Sequence, residues 1–171
     1  LRLPPLLDGL RSGVQPRVAQ KGLPFSFASH FAPDFMMEAL KLYRSQFKPS
    51  DVLDAPYVML GINIITADTT ERAEWLATSQ QQQFLSLRRG ESTKLQPPID
   101  NINEVWSDIE IAAVEQTLDS TTTIVGDKKV VKEKLENLLE LTKADEFIIN
   151  AQIFYHDDRL RSYEIVAELM D

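Results

Sequence analysis

The sequence contains no cysteine, so disulfides, thiolate metal ligands and cysteine nucleophiles are all excluded. Histidine is almost as scarce. His30 and His156 are the only two, too few for an imidazole metal cluster, and no His-Glu-x-x-His motif occurs. Neither a Gly-x-Gly-x-x-Gly fingerprint nor a Walker loop is present, which argues against a Rossmann or P-loop nucleotide site. No Gly-x-Ser-x-Gly elbow occurs, and neighbours on a strand such as Ser29 and His30 point to opposite faces, so a hydrolase is not expected. No apolar run approaches the ~20 residues of a membrane span, and no basic-then-apolar leader pattern is visible. A cytoplasmic protein without membrane attachment is therefore expected. Positive charge is in short supply: Lys and Arg number 18 against 26 Asp and Glu, and the net charge of −8 repels a phosphate backbone. Nucleic acid is not an expected partner.

What is present fits an ordinary globular chain. At 171 residues one domain is the default. Residues 1–20 hold Pro4, Pro5, Gly9, Gly13 and Pro16, and are richer in basic than acidic side chains. This segment is expected to be poorly ordered, with the folded part spanning 21–171. Pro16–Gln20 can form one helical turn stopped by Gly22.

Three apolar stretches read as strands, at 24–30, 57–66 and 146–153. Each is followed by a helical pattern. Asp34 is placed as the cap of a helix over 35–47, and Asp68-Thr-Thr-Glu71 as the start of one running to Arg89 and stopped by Gly90. The Gln80–Gln83 run reads as its solvated face. Further helices are expected over 109–118, 128–142 and from the Asp157-Asp158 pair onward, with 121–125 extended. Alternating strands and helices define an α/β fold with a parallel sheet. The 91–105 loop, with Pro97-Pro98, is long enough to be functional and is placed as a mobile cover over the site.

Strands of this kind present chemistry at their C-terminal ends. There the sequence places Ser29 and His30, Asn63, and Asn150 with Gln152. Amides on apolar strands cost about 1–3 kcal/mol if left unpaired, so each needs a partner. Either neighbouring protein groups or the polar edge of a ligand can supply it. Arg88-Arg89 could hold a phosphate, but at a helix C-terminus they also complement the dipole. Trp75 and Trp106 read as packing or loop anchors.

Several segments together resemble the bacterial-luciferase-like flavin-dependent monooxygenases. They are Gly-Leu-Pro-Phe-Ser-Phe-Ala-Ser-His-Phe-Ala-Pro-Asp (22–34), Pro-Tyr-Val-Met-Leu-Gly-Ile-Asn-Ile-Ile-Thr-Ala-Asp-Thr (56–69), Leu-Arg-Arg-Gly (87–90), Ile-Val-Gly-Asp (124–127) and 144–164. The resemblance implies a (β/α)8 TIM barrel, of which this chain would supply strands six to eight and their helices. It implies reduced FMN, delivered by a separate flavin reductase, and an organic substrate oxygenated with O2. It places Ser29, His30, Asn63, Asn150 and Gln152 as cofactor-binding residues and names no catalytic residue or metal. The family's Gly-Ser-Ser segment has no counterpart in residues 1–18, so 1–20 is expected to be a non-family segment. A full barrel takes about 250 residues, and a slice of one has open edges; a homo-oligomer is therefore expected. The alternative implied is a truncated, non-catalytic flavin-binding or subunit-pairing protein.

Overall fold

The computed structural model describes residues 14–29, 33–91, 93–118 and 122–170. In chain order the elements are α1 (Val14–Gln20), β1 (Phe25–Phe27), α2 (Pro33–Gln46), β2 (Val58–Thr66), α3 (Thr70–Arg88), α4 (Ile102–Val105), α5 (Asp108–Leu118), β3 (Thr123–Gly126), α6 (Lys128–Thr142), β4 (Glu146–Asn150) and α7 (His156–Ala167). They form two compact units, Leu1–Ile62 with Leu138–Ile149 and Asn63–Asn137 with Asn150–Asp171. The expected loose start falls mostly on 1–13, outside the described residues. Gly22 stops α1 at φ 60°, a left-handed turn that a β-carbon would strain.

In the first unit β1 runs parallel to the start of β2, pairing Phe25 with Val58 and Phe27 with Leu60. Phe25 N–H donates to the Tyr57 carbonyl at 2.9 Å, and Asp145 N–H donates to the Val58 carbonyl at 2.9 Å. Successive carbonyls point to opposite edges of a strand. Thus β2 lies between β1 and β4, with which it also pairs. On one face Phe25, Phe27, Val58, Leu60 and Ile62 are buried, together with Met36, Ala39, Leu40 and Tyr43 of α2. The Tyr43 ring stacks on Phe25 with centroids 5.1 Å apart. Its hydroxyl donates to the Leu23 carbonyl at 2.9 Å and accepts from Tyr57 N–H at 3.2 Å. Desolvation by this burial raises the phenol above its ordinary pKa. Arg44, one residue on, donates to the Thr142 and Lys143 carbonyls at 2.7 and 2.8 Å, satisfying carbonyls that end α6.

In the second unit the rest of β2 pairs parallel with β3, from Asn63 with Thr123 to Thr66 with Gly126. Ile65, Leu76, Ala77, Val125, Ala151 and Ile153 form its core. A smaller cluster of Leu85, Trp106 and Val114 lies under Phe84, Ile99, Ile102 and Ile111, so Trp106 is a packing anchor. Asp127 starts α6, its carboxylate accepting from Lys129 and Val130 N–H at 2.9 and 3.0 Å. These bonds, that of Val130 foremost, hold its pKa below the usual carboxylate value.

Several local expectations need correction. Helix α2 begins at Pro33, so Asp34 lies in the first turn instead of capping it. A proline's preset φ and missing N–H suit the first helical position. The cap of α3 is Thr69, whose side chain accepts from Arg72 N–H at 3.2 Å. Asp68 instead pairs with Arg161 at 2.8 Å. Helix α7 starts at His156 behind Tyr155, with no side-chain cap bond, and Asp157 and Asp158 occupy its first turn, where carboxylates complement the dipole. The Gln80–Gln83 run is no solvated face, since Gln81 is 6% exposed. The loop after α3 contains α4 and is strapped to α3: Trp75 donates to Asp100, Gln82 to the Pro97 carbonyl, and Ile99 N–H to Thr78. It follows the side of α3, which differs from the mobile cover expected. Among the described residues no helix is long and apolar enough to cross a membrane.

Two measurements check this packing. Leu60→Ala, at a fully buried position of β2, should lower unfolding free energy by about 2–5 kcal/mol in urea denaturation. Glu110 closes a capping box with Ser107, whose N–H and hydroxyl it accepts at 2.9 and 2.8 Å, and it also pairs with Arg89. The Ser107 N–H first, then Arg89, bring its pKa down from 4.5 to about 2. A depressed carboxylate stabilises the fold above its unfolded pKa and loses that effect as pH falls to the folded value. The Tm difference between the protein and Glu110→Gln should therefore shrink between pH 4.5 and about 2.

Candidate functional site

The strand-end amides expected from the sequence divide between the two units. In the second unit, Asn63 is 4% exposed near the middle of β2. Its backbone N–H donates to the Thr122 carbonyl at 2.9 Å. Asn150, at the end of β4, donates from Nδ2 to Asn63 Oδ1 at 3.0 Å. Each amide therefore meets its need for a partner in the other. Beyond this bond the pair still carries an amide N–H group on Asn63 and a carbonyl oxygen on Asn150. Gln152 lies two residues further, half-buried between the buried Ala151 and Ile153, so side chains alternate here as they do along a strand.

In the first unit, Ser29 is fully buried and its hydroxyl donates to the Gly61 carbonyl at 2.6 Å. That bond ties the segment after β1 to β2. His30 lies outside the described residues. The structure thus brings Asn63 and Asn150 together, and gives Ser29 a backbone partner.

Neutral amides cannot act as general acids or bases near neutral pH, but they donate and accept in fixed directions. Among the described residues no group of His, Asp and Glu could hold a metal. Arg89 is engaged by Glu110, while the Arg88 guanidinium sits 5.5 Å from the Phe84 ring centre. An aromatic group follows β4 and takes in Trp75, one of the two tryptophans expected to be anchors. Tyr155 stacks on Trp75 at 6.0 Å, Arg72 covers Trp75 at 4.2 Å, and Phe154 meets Tyr155 edge-on. Phe154 and Tyr155 are 42% and 43% exposed. The sequence signal was the adjacent aromatic pair after Ile153; β4 itself ends at Asn150, short of the 146–153 expected.

A parallel α/β chain with an amide pair among its strands is the class that the geometry defines. No protein-family model matches the sequence. Individual relatives do. It is 51% identical over 153 residues to a luciferase-like monooxygenase of Escherichia coli K12, covering 90% of this chain and 45% of that protein. It is 50% identical over 159 residues to the uncharacterized protein YvbT of Bacillus subtilis, covering 92% and 47%. The crystal structure of apo-MsnO8 superposes with a TM-score of 0.74 at 24% identity, covering 91% of this chain and 47% of that one. This chain is a relative of the luciferase-like monooxygenases, and it spans about half the length of the curated relatives it matches.

A double-mutant cycle of Asn63→Ala and Asn150→Ala should give a coupling of about 0.5–1.5 kcal/mol in urea unfolding, the net worth of one neutral hydrogen bond.

Proposed function

We propose that this chain is the C-terminal part of a luciferase-like flavin-dependent monooxygenase, in which β1, β2 and β4 are strands six to eight of a (β/α)8 barrel. The observation that carries this reading is the Asn63–Asn150 pair on adjacent strands of a luciferase-like relative. Support for FMN comes from a structural neighbour, the oxygenating constituent of 3,6-diketocamphane monooxygenase from Pseudomonas putida in complex with FMN. It superposes with a TM-score of 0.54 at 16% identity, covering 92% of this chain and 44% of that one.

The residues suit the ring of a flavin. Its pyrimidine edge alternates carbonyls and N–H groups, which the Asn63 N–H group, the Asn150 carbonyl oxygen and the Gln152 amide can pair without any charge. Bound reduced FMN would supply the reactivity toward O2, and an organic substrate would receive the oxygen. The chain's own work is orientation. Asn63 is fixed by its place in β2, and its bond to Asn150 sets the direction of both amides. Ser29 and His30 are proposed as further cofactor-binding residues. A separate reductase would deliver the reduced flavin, and the protein would work in the cytoplasm as a homo-oligomer.

A second reading is a non-catalytic flavin-binding or subunit-pairing protein. The exposure of Ile148 on β4, at 45%, favours it.

Titration of FMN, oxidised and anaerobically reduced, followed by flavin fluorescence, should give saturable binding. Asn150→Ala should weaken it roughly threefold to tenfold, one hydrogen bond's worth. Absence of binding to the unaltered chain overturns the flavin reading. Binding without reductase-dependent O2 consumption favours the second.

A further inference from the structure

We propose that the groove between the end of α3 and the start of α5 is a binding site for a small amphiphilic monoanion, a carboxylate head on a short aliphatic chain. The site is separate from the strand-end amides and does not rest on the flavin reading.

The groove follows from residue spacing on two helices of the second unit. Positions three and four apart share one side of a helix. On α3 these are Leu85, Arg88 and Arg89, and on α5 they are Ile109, Ala112 and Ala113. Trp106 and Val114 cluster with Leu85 and tie the two helices together. The two alanines are too short to fill the space opposite α3, and a cavity of about 410 Å3 is left. Pockets for small molecules measure roughly 300–1,000 Å3. Leu85 is buried, but Ile109, which also lines the groove, is 82% exposed. An apolar side chain left so far in water gains from any aliphatic group laid over it.

The charges of the lining define the head group. Glu110 is already engaged: it accepts from the Ser107 N–H and hydroxyl and pairs with Arg89. Arg88 has no such carboxylate among the described residues. Its guanidinium lies 5.5 Å from the centre of the Phe84 ring, one turn back on α3. Its place in the last turn complements the helix dipole, but that role uses none of its donors. The lining therefore carries one positive charge in excess, with a planar fork of N–H groups that matches a carboxylate.

Other anions suit the groove less well. A phosphate monoester brings about −1.5 to −2 charges to a single excess positive one. It also meets Glu110, which its own hydrogen bonds keep ionised. An acidic peptide would find one spare anchor on a chain whose net charge of −8 repels it.

The test is isothermal titration calorimetry of the chain with sodium octanoate, which should give saturable one-to-one binding. Acetate, which lacks the chain, and 1-octanol, which lacks the charge, should bind at least roughly tenfold more weakly. Arg88→Gln should weaken octanoate binding by roughly fivefold or more, and Arg88→Lys should recover part of the loss. Ile109→Asn should weaken it by roughly fivefold to tenfold. Both positions are exposed, so the thermal unfolding midpoint should hold in each variant. Lys132→Gln, on α6 and 62% exposed at its side chain, should leave binding unchanged. Absence of saturable octanoate binding overturns the proposal, as does binding indifferent to Arg88→Gln or to Ile109→Asn. Tighter binding of inorganic phosphate or of an acidic peptide at this groove overturns it too. FMN added to the octanoate-loaded chain should leave octanoate in place, and displacement overturns the assignment of a separate site. Failure of FMN to bind at all sinks the flavin reading alone.

Discussion

The backbone ladder of β2 is the constraint on which the rest of the structure depends. Among the described residues every other strand pairs with it: β1 along its first half, β3 along its second, and β4 as well. Its side chains are buried on both faces, Met59 excepted. A strand that spends its hydrogen bonds on both edges and its side chains on both faces has little freedom left. Its neighbours must therefore fit its register. Burial of each Leu or Ile along it contributes about 1.5–3 kcal/mol, so a slipped register would forfeit many such contributions at once.

Around this strand the helices are set by polar anchors more than by helix propensity. Tyr43 binds α2 to the backbone leading into β1 and β2, and Arg44 reaches across to the carbonyls that end α6. Thr70 and Asp127 bond to each other from the starts of α3 and α6, with Asp127 also capping its own helix. At the other end of α3, Arg89 and Glu110 join it to the capping box that opens α5. Of these, the bonds of Arg44 and of Asp127 satisfy helix-end backbone groups that packing alone would leave orphaned.

The same economy applies to the amides. Asn63 sits among apolar neighbours, where an unmatched amide is expensive, and Asn150 matches it. That one bond both stabilises the arrangement and aims two polar groups. Orientation of this sort is what a cofactor that carries its own chemistry asks of a protein.

The order of the strands and helices, α4 excepted, was legible in the sequence, because the apolar runs at 58–66 and 146–150 and the stripe of 128–142 are local patterns that no distant contact reverses. The kinship with luciferase-like monooxygenases was legible too, through motifs in the right order. The caps were legible only roughly: Thr69 in place of Asp68 was decided when Asp68 found Arg161, which is 93 residues away. Gln81 turned out buried and the 91–105 loop strapped down because α3 is covered on a side that its polar residues do not advertise. Pattern along the chain determined which segments are strands and where the amides stand on them. Only the tertiary structure decided that Asn63 meets Asn150 and that Ile148 stays half uncovered, since both depend on which strands become neighbours, a long-range choice that no local run of residues records.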